Sequence, residues 1–211
     1  MDKIFAIGDI HGCFNKLCNL MDKIDIDRKK DTLVFLGDYI DRGPDSFEVI
    51  EYLIDLKKDF RKIIFLKGNH EEMLENYLKG PDKFTYLNNG GQSTLESYIK
   101  HNRQQRDSII PVKHLDFFKS LLFYYQTKKY IFVHAGLKNK VKLESQKPED
   151  MLWIRKSFIN SNFYFGKTVV FGHTPFDEPF IDPYKIGIDT GAVYGNKLTC
   201  VILPEITFYS S

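Results

Sequence analysis

Five times along this chain an apolar run ends in a glycine, and carboxylate, amide or imidazole side chains cluster there. The instances are Ile7-Gly8-Asp9-Ile10-His11-Gly12, Leu36-Gly37-Asp38-Tyr39-Ile40-Asp41-Arg42-Gly43, Gly68-Asn69-His70-Glu71, Val133-His134-Ala135-Gly136 and Phe171-Gly172-His173-Thr174. Each reads as a strand that delivers polar groups to a loop at its C-terminal end. The runs Lys3–Ile7, Asp31–Leu36 and Lys62–Leu66 are short and apolar, the pattern of buried strands. Behind each, apolar residues recur at helical spacing: Leu17, Leu20, Met21 and Ile24, then Phe47, Ile50, Leu53 and Ile54, then Met73, Leu74, Tyr77 and Leu78. Pro44 is placed for the first turn of the second helix. Three strand–helix units in succession predict parallel strands with helices packed on their faces.

The pattern then changes. From Gly80 to about Ser120 no strand signal appears. Asn88-Asn89-Gly90-Gly91 reads as a plain turn, Leu95, Tyr98 and Ile99 as a helix, and His101 to Asp107 as an exposed polar tip. Pro111 opens a further helix with Val112, Leu115, Phe118 and Leu122. This block is expected to be a helical insertion over the polar cluster, within one domain spanning 1–211. The remainder reads as mainly β: strands over Leu121–Gln126, Lys129–Val133, Lys167–Phe171, Tyr184–Ile188 and Lys197–Leu203, with turns at Pro175–Pro183 and Gly195-Asn196. A short helix carries Trp153-Ile154-Arg155, with Trp153 expected in the core.

Composition narrows the classes. The 211 residues carry a net charge of +2 with Lys and Arg interspersed among Asp and Glu, so no basic tract argues for nucleic acid. Three cysteines, Cys13, Cys18 and Cys200, give an odd count without CxxC spacing, which argues against a disulfide framework and for free thiols in a reducing compartment. Cys13, next to a candidate ligand loop, is a candidate for oxidation. No signal peptide and no apolar run of membrane-spanning length is evident, so a cytoplasmic protein with no membrane partner is expected.

Asp, Asn and His converging from several strand ends suit hard or borderline cations. Asp9 and His11, two residues apart, face one side of an extended strand end. Asp38 has two carboxylate oxygens and can bridge. The residues therefore suggest a dinuclear centre, with Asp9, His11 and Asp38 on one metal and Asp38, Asn69, His134 and His173 on the other. The donor mix suits two divalent ions, manganese first, with iron or zinc as alternatives. Two such ions about 3.5–4 Å apart can activate a shared hydroxide and clamp phosphoryl oxygens. Arg42 offers a planar fork for phosphate. His70, kept protonated by Asp41, would act as general acid. Arg155 reads either as a second phosphate anchor or as a solvated helix residue. Four of the six histidines (His11, His70, His134 and His173) fall in these loops, whereas His101 and His114 read as surface or helix residues.

These five blocks resemble the GDxHG, GDxxDRG, GNHE, HAG and GHT pattern of the phosphoprotein phosphatase family of metallophosphoesterases, in its bacterial and phage branch. The resemblance runs from Lys3 to about Leu203; Trp153-Ile154-Arg155 and Ile188-Asp189-Thr190-Gly191-Ala192 also match that branch. It implies an α/β fold of four layers: two central mixed β-sheets flanked by helices. It also implies the ligand set above, a metal-activated hydroxide, a His70–Asp41 acid, and Arg42 and Arg155 on the phosphoryl group. Within the family two substrate classes compete. The expectation favours a serine/threonine protein phosphatase acting on a phosphoprotein or phosphopeptide. The alternative is a dinucleoside polyphosphate hydrolase that cuts diadenosine tetraphosphate symmetrically to two ADP. A nuclease and a non-enzymatic binding scaffold fit the intact ligand set less well.

Overall fold

A computed structural model of the chain describes residues 2–80, 83–101 and 109–211. Its first half is the expected alternation. Strands β1 (Ile4–Ile7), β2 (Thr32–Phe35) and β3 (Ile63–Phe65) alternate with helices α1 (Phe14–Lys23), α2 (Ser46–Asp59) and α3 (Asn69–Lys79). β1 pairs parallel with β2, and β2 with β3. The insertion follows as α4 (Phe84–Tyr86), a π-helical turn over Leu87–Gly91, α5 (Gln92–His101) and α6 (Val112–Lys119). The second sheet is built from β4 (Tyr124–Gln126), β5 (Tyr130–Val133), β6 (Thr168–Phe171), β7 (Phe180–Asp182) and β8 (Lys185–Gly187), with short helices α7 (Pro148–Trp153) and α8 (Lys156–Ile159) between β5 and β6. β9 (Thr199–Leu203) and β10 (Thr207–Ser210) return to the first sheet. The strand orders are β10-β9-β1-β2-β3 and β4-β5-β6-β8-β7, both mixed.

Period-two alternation of side chains creates the layers. Along β1 and β2, Phe5, Ile7, Leu33 and Phe35 join the core under α1 and α2, while Ala6 and Val34 point the other way. Along β5 and β6, Ile131, Val133, Val169 and Phe171 join the core under Met151 and Phe158, while Phe132 and Val170 face Ala6 and Val34 across the middle. Three apolar cores thus separate four layers: helices, sheet, sheet, helices. Strands apolar on both faces can only be buried on both faces, which is why the runs read as continuous rather than alternating.

Local readings depart from the structure in several places. Pro44 lies ahead of α2, whose N-cap is Asp45, and not in its first turn. Asn88–Gly91 is a kink between two helical stretches and not a plain turn: Gly90 leaves the helical region with a left-handed φ of 99°. Its carbonyl accepts the Arg42 N–H at 3.0 Å, a tertiary contact that overrides the turn propensity of Asn-Asn-Gly-Gly. The stretch read as a turn over Pro175–Pro183 contains β7, and the sequence pattern does not show β10; both are edge strands, with one of three residues of β7 and two of four of β10 exposed. The polar tip lies outside the described residues beyond His101, which ends α5 and stacks on Phe47 at 4.6 Å. His114 is on helix α6, but fully buried, between the Tyr98 hydroxyl at 2.8 Å and Glu51 at 2.7 Å. Cys200 is buried, Cys13 and Cys18 are half-buried, and none forms a disulfide. Burial pushes the Cys13 thiol up, against the pull of Lys16. Among the described residues no helix is long and apolar enough to cross a membrane.

Candidate metal centre

The six parallel strands, β1 to β3 in one sheet and β5, β6 and β8 in the other, carry their C-terminal ends to one place. The crevice beyond strand ends is where sheets of this kind bind ligands. Asp9 and His11 follow β1, Asp38 follows β2, Asn69 and His70 open α3 after β3, His134 follows β5, and His173 follows β6. All seven side chains are buried. Asp38 is the hub. Its Oδ2 lies 3.4 Å from His11 Nε2 and 3.5 Å from His134 Nε2, while its Oδ1 accepts the His70 N–H at 3.1 Å.

Two groups of potential ligands share this carboxylate. Candidate ligand atoms of His11, Asp38 and His70 lie within 4.8 Å of one another, and so do those of Asp38, His134 and His173. Asn69 Oδ1 is 3.0 Å from His134 Nε2. His11 and His134 donate Nδ1–H to the carbonyls of Ile40 and Leu36, each at 2.9 Å, which turns the Nε2 lone pair of each ring toward Asp38. Asp9 Oδ2 accepts the His173 N–H at 2.9 Å. Its Oδ1, like His173 Nε2, is buried with no hydrogen-bond partner. Buried polar atoms are normally satisfied, so two orphans in one cluster mark a place built for a further partner.

The electrostatics fit a cation. Burial lowers His11 to about 3 and His173 to about 2, and lowers His134 as well, each shift favouring the uncharged ring that a metal requires. Burial opposes ionisation of Asp38, yet His134, His70 and His11 around it outweigh that and hold it below the usual carboxylate range. Burial, Asp189 and Asp38 raise Asp9 well above its ordinary value. Burial raises Asp189 to about 6 and, with Asp38, raises Glu71 to about 8. Carboxyls crowded beyond the available positive charge are what bound divalent ions would neutralise.

The backbone is strained to make this arrangement. His11, Asp38, Asp41, Arg42 and His173 have φ of 48°, 51°, 72°, 70° and 64°, the left-handed region that non-glycine residues avoid. Such strain concentrates at functional sites. Two glycines of the motifs exist for close approach. A Cβ on Gly68 would stand 2.1 Å from Asp38 Oδ1, and one on Gly172 would stand 2.1 Å from Asp9 Oδ1.

Around the cluster, His70 Nδ1 bonds Asp41 Oδ2 at 2.7 Å, as the sequence suggested. Burial pushes His70 down, but Asp38 and Asp41 outweigh it and raise the imidazole above its ordinary value. Two residues that sequence reasoning missed hold Asp41 from the insertion: the Tyr86 and Thr94 hydroxyls each donate to its Oδ1 at 2.7 Å. Glu71, also missed, accepts the backbone N–H groups of Asp38, Tyr39 and Gly68 at 2.8–3.0 Å and shapes the loop after β2. Asp189 follows β8 with the same strand-end signature as the five blocks, and that signal would have found it. Arg42 reaches the cluster, donating from Nη1 to His11 Nε2 at 2.8 Å. Arg155 is exposed, and its charge is felt at His134, His173 and Asp189. It is not a helix residue: with φ −132° and ψ −109° it caps α8 after α7 has ended. Trp153 is 39% exposed beside His173, not in the core as expected.

Comparison with known proteins decides the family. Residues 2–200 match the description "Calcineurin-like phosphoesterase". The chain belongs to the calcineurin-like phosphoesterase family. That family uses a centre of two divalent metals, and this chain has two groups of potential ligands that share Asp38. The asymmetrical bis(5'-nucleosyl)-tetraphosphatase PrpE of Oceanobacillus iheyensis is 30% identical, over 99% of this chain and 91% of the relative. The protein of the same name from Bacillus mycoides is 31% identical, over 97% and 92%. In structure, a candidate diadenosine tetraphosphatase superposes with a TM-score of 0.77 at 23% identity, covering 100% of this chain and 93% of the other. A protein serine/threonine phosphatase from Saccharomyces cerevisiae gives 0.68 at 20%, covering 96% and 72%. At those identities the structural likenesses speak to the fold alone.

The relatives overturn the serine/threonine protein phosphatase expectation, and with it a phosphoprotein or phosphopeptide substrate: the two sequence relatives above, at 30–31% identity over nearly the whole chain, are named as nucleotide tetraphosphatases. The reason is chemical. The five motifs hold metals and a phosphoryl group, and those parts are common to esters and anhydrides, so they do not select the leaving group.

Proposed function

We propose that this calcineurin-like phosphoesterase is a divalent-metal-dependent dinucleoside tetraphosphate hydrolase that cuts off-centre, releasing a nucleoside triphosphate and a nucleoside monophosphate. The observation that carries the reading is full-length likeness, at 30–31% identity, to relatives named for asymmetrical bis(5'-nucleosyl)-tetraphosphate hydrolysis. In this reading Asp9, His11 and Asp38 hold one ion, and Asp38, Asn69, His134 and His173 the other. The carboxylate, amide and imidazole donors favour manganese, with iron or zinc also within their range. When bound, the two ions supply Lewis-acid activation of water and neutralise the polyphosphate. Arg42 and Arg155 flank the cluster and orient phosphate oxygens. His70, with Nδ1 tied to Asp41, holds a proton at Nε2 for the departing phosphate oxygen. Incubation with diadenosine tetraphosphate and manganese, followed by anion-exchange chromatography, is expected to yield ATP and AMP in equal amounts. Two ADP would reassign the scissile bond to the symmetrical position. No cleavage by the metal-loaded protein would sink the reading.

The leaving group sets the weight of His70. General acids contribute about 10²–10⁴-fold. A departing nucleotide phosphate, whose second pKa is about 6, needs that proton less than a departing alkoxide does. His70→Asn is therefore expected to keep its metal and lower kcat on the dinucleotide by about 10²-fold, at the small end of the range. Wild-type turnover would remove His70 from the mechanism, and lost metal would move it into the ligand set.

A further inference from the structure

Trp153 belongs to two places at once. Its ring lies 6.1 Å from His173, centroid to centroid, and nearly perpendicular to it at 82°. On the outside it lines an open cleft of about 640 Å³, within the size range of small-molecule sites. Its Nε1–H donates to Glu72 Oε2 at 2.9 Å, which pins the indole to α3, the helix that opens with Asn69 and His70. With its N–H engaged by Glu72, the 39% exposed ring has no free donor and meets a partner through its aromatic carbon surface. Ile154 extends the apolar wall, while Lys138, Lys147, Glu149 and Asp150 bring charges of both signs to the same cleft.

That mixture narrows the occupant. A bare anion would meet Glu149 and Asp150, and an apolar molecule would leave four charged groups unmatched. A nucleotide suits the mixture: a flat base lies against the indole, ribose hydroxyls donate to the carboxylates, and the phosphate chain leaves the cleft. We infer that this cleft is a nucleoside subsite, in which the base stacks on Trp153 and the phosphate chain runs past His173 into the metal cluster. The inference rests on the dinucleotide reading and deepens it. It gives the chain a means of selecting a nucleotide over other phosphate compounds, by base–aromatic stacking that tolerates any base.

Trp153 is the protein's single tryptophan, so its emission reports on this cleft directly. Titrating the purified full chain in magnesium buffer with AMP is expected to change the emission saturably, while inorganic phosphate at equal concentration leaves it unchanged. No change with AMP, or the same change with phosphate, overturns the inference. Trp153→Leu keeps apolar bulk but removes the π surface. It is expected to raise KM for diadenosine tetraphosphate about tenfold with kcat within about twofold; an unaltered KM overturns the inference. If wild-type protein cleaves no dinucleotide, the hydrolase reading fails on its own, and the AMP titration still decides the subsite.

Discussion

Asp38→Asn is expected to reduce bound metal from about two ions per chain to one or fewer, and kcat/KM by at least about 10³-fold. Asp38 is the residue shared by both potential ligand groups, and its Oδ2 stands between His11 Nε2 and His134 Nε2 at 3.4 and 3.5 Å. An amide keeps the shape and the hydrogen bond from the His70 N–H, but it loses the negative charge and one of two acceptor oxygens. Losing several kcal/mol of charge stabilisation corresponds to the stated drop, since each 1.36 kcal/mol is tenfold. The fold should survive, because a buried carboxyl is being replaced by a neutral isostere and the three apolar cores are untouched. Elemental analysis after gel filtration, alongside the dinucleotide assay, checks both halves. Retention of two ions per chain would refute a bridging role for Asp38.

Gly68→Ala should be nearly as damaging through sterics alone. The new methyl would stand 2.1 Å from Asp38 Oδ1, 2.4 Å from Asp38 N and 2.8 Å from Glu71 Oε2. Two of those atoms belong to buried carboxylates with fixed partners and one to the backbone, so no flexible side chain can yield. Overpacking of this kind costs about 1–3 kcal/mol. In a chain of this size that corresponds to a fall in Tm of about 2–12 °C. Activity should drop further than stability, because the displaced group is the shared carboxylate and 1 Å of misplacement is worth about 10²-fold. Thermal unfolding and metal content measured on one preparation test the claim. A variant with wild-type Tm and full metal content would show that the close approach of Gly68 to Asp38 is not required.

The site was legible because its residue types are scarce and their placement repeats. Asp9, His11, Asp38, Asn69, His134 and His173 could be read from strand-end glycines and chemistry; the structure buries all six at neighbouring strand ends, with His70 in place of Asp9 in the compact group around His11 and Asp38. His70 with Asp41 was readable for the same reason. Tyr86 and Thr94 were not: a tyrosine and a threonine in a helical insertion carry no local mark of reaching back across 45 and 53 residues to Asp41. The Asn88–Gly91 reading failed because turn propensity is local, whereas the Gly90 carbonyl is committed to the Arg42 N–H. Trp153 was placed in the core on hydrophobicity, which does not register that its N–H would be captured by Glu72 from another element.

The four layers were implied by the family resemblance of the motifs; by itself the amino-acid order determined the periodicities, hence the strands and helices, and which side chains could ligate a metal. These follow from the i to i+2 and i to i+4 geometry of the backbone, which acts over a few residues. Tertiary structure alone decided which carboxyls crowd together and rise in pKa, which strand ends share Asp38, and which aromatic ring lines the cleft. Those outcomes depend on distances between residues far apart in the chain, set only when two sheets pack face to face. Substrate class lay beyond both local pattern and metal chemistry, because the same ions serve esters and anhydrides alike.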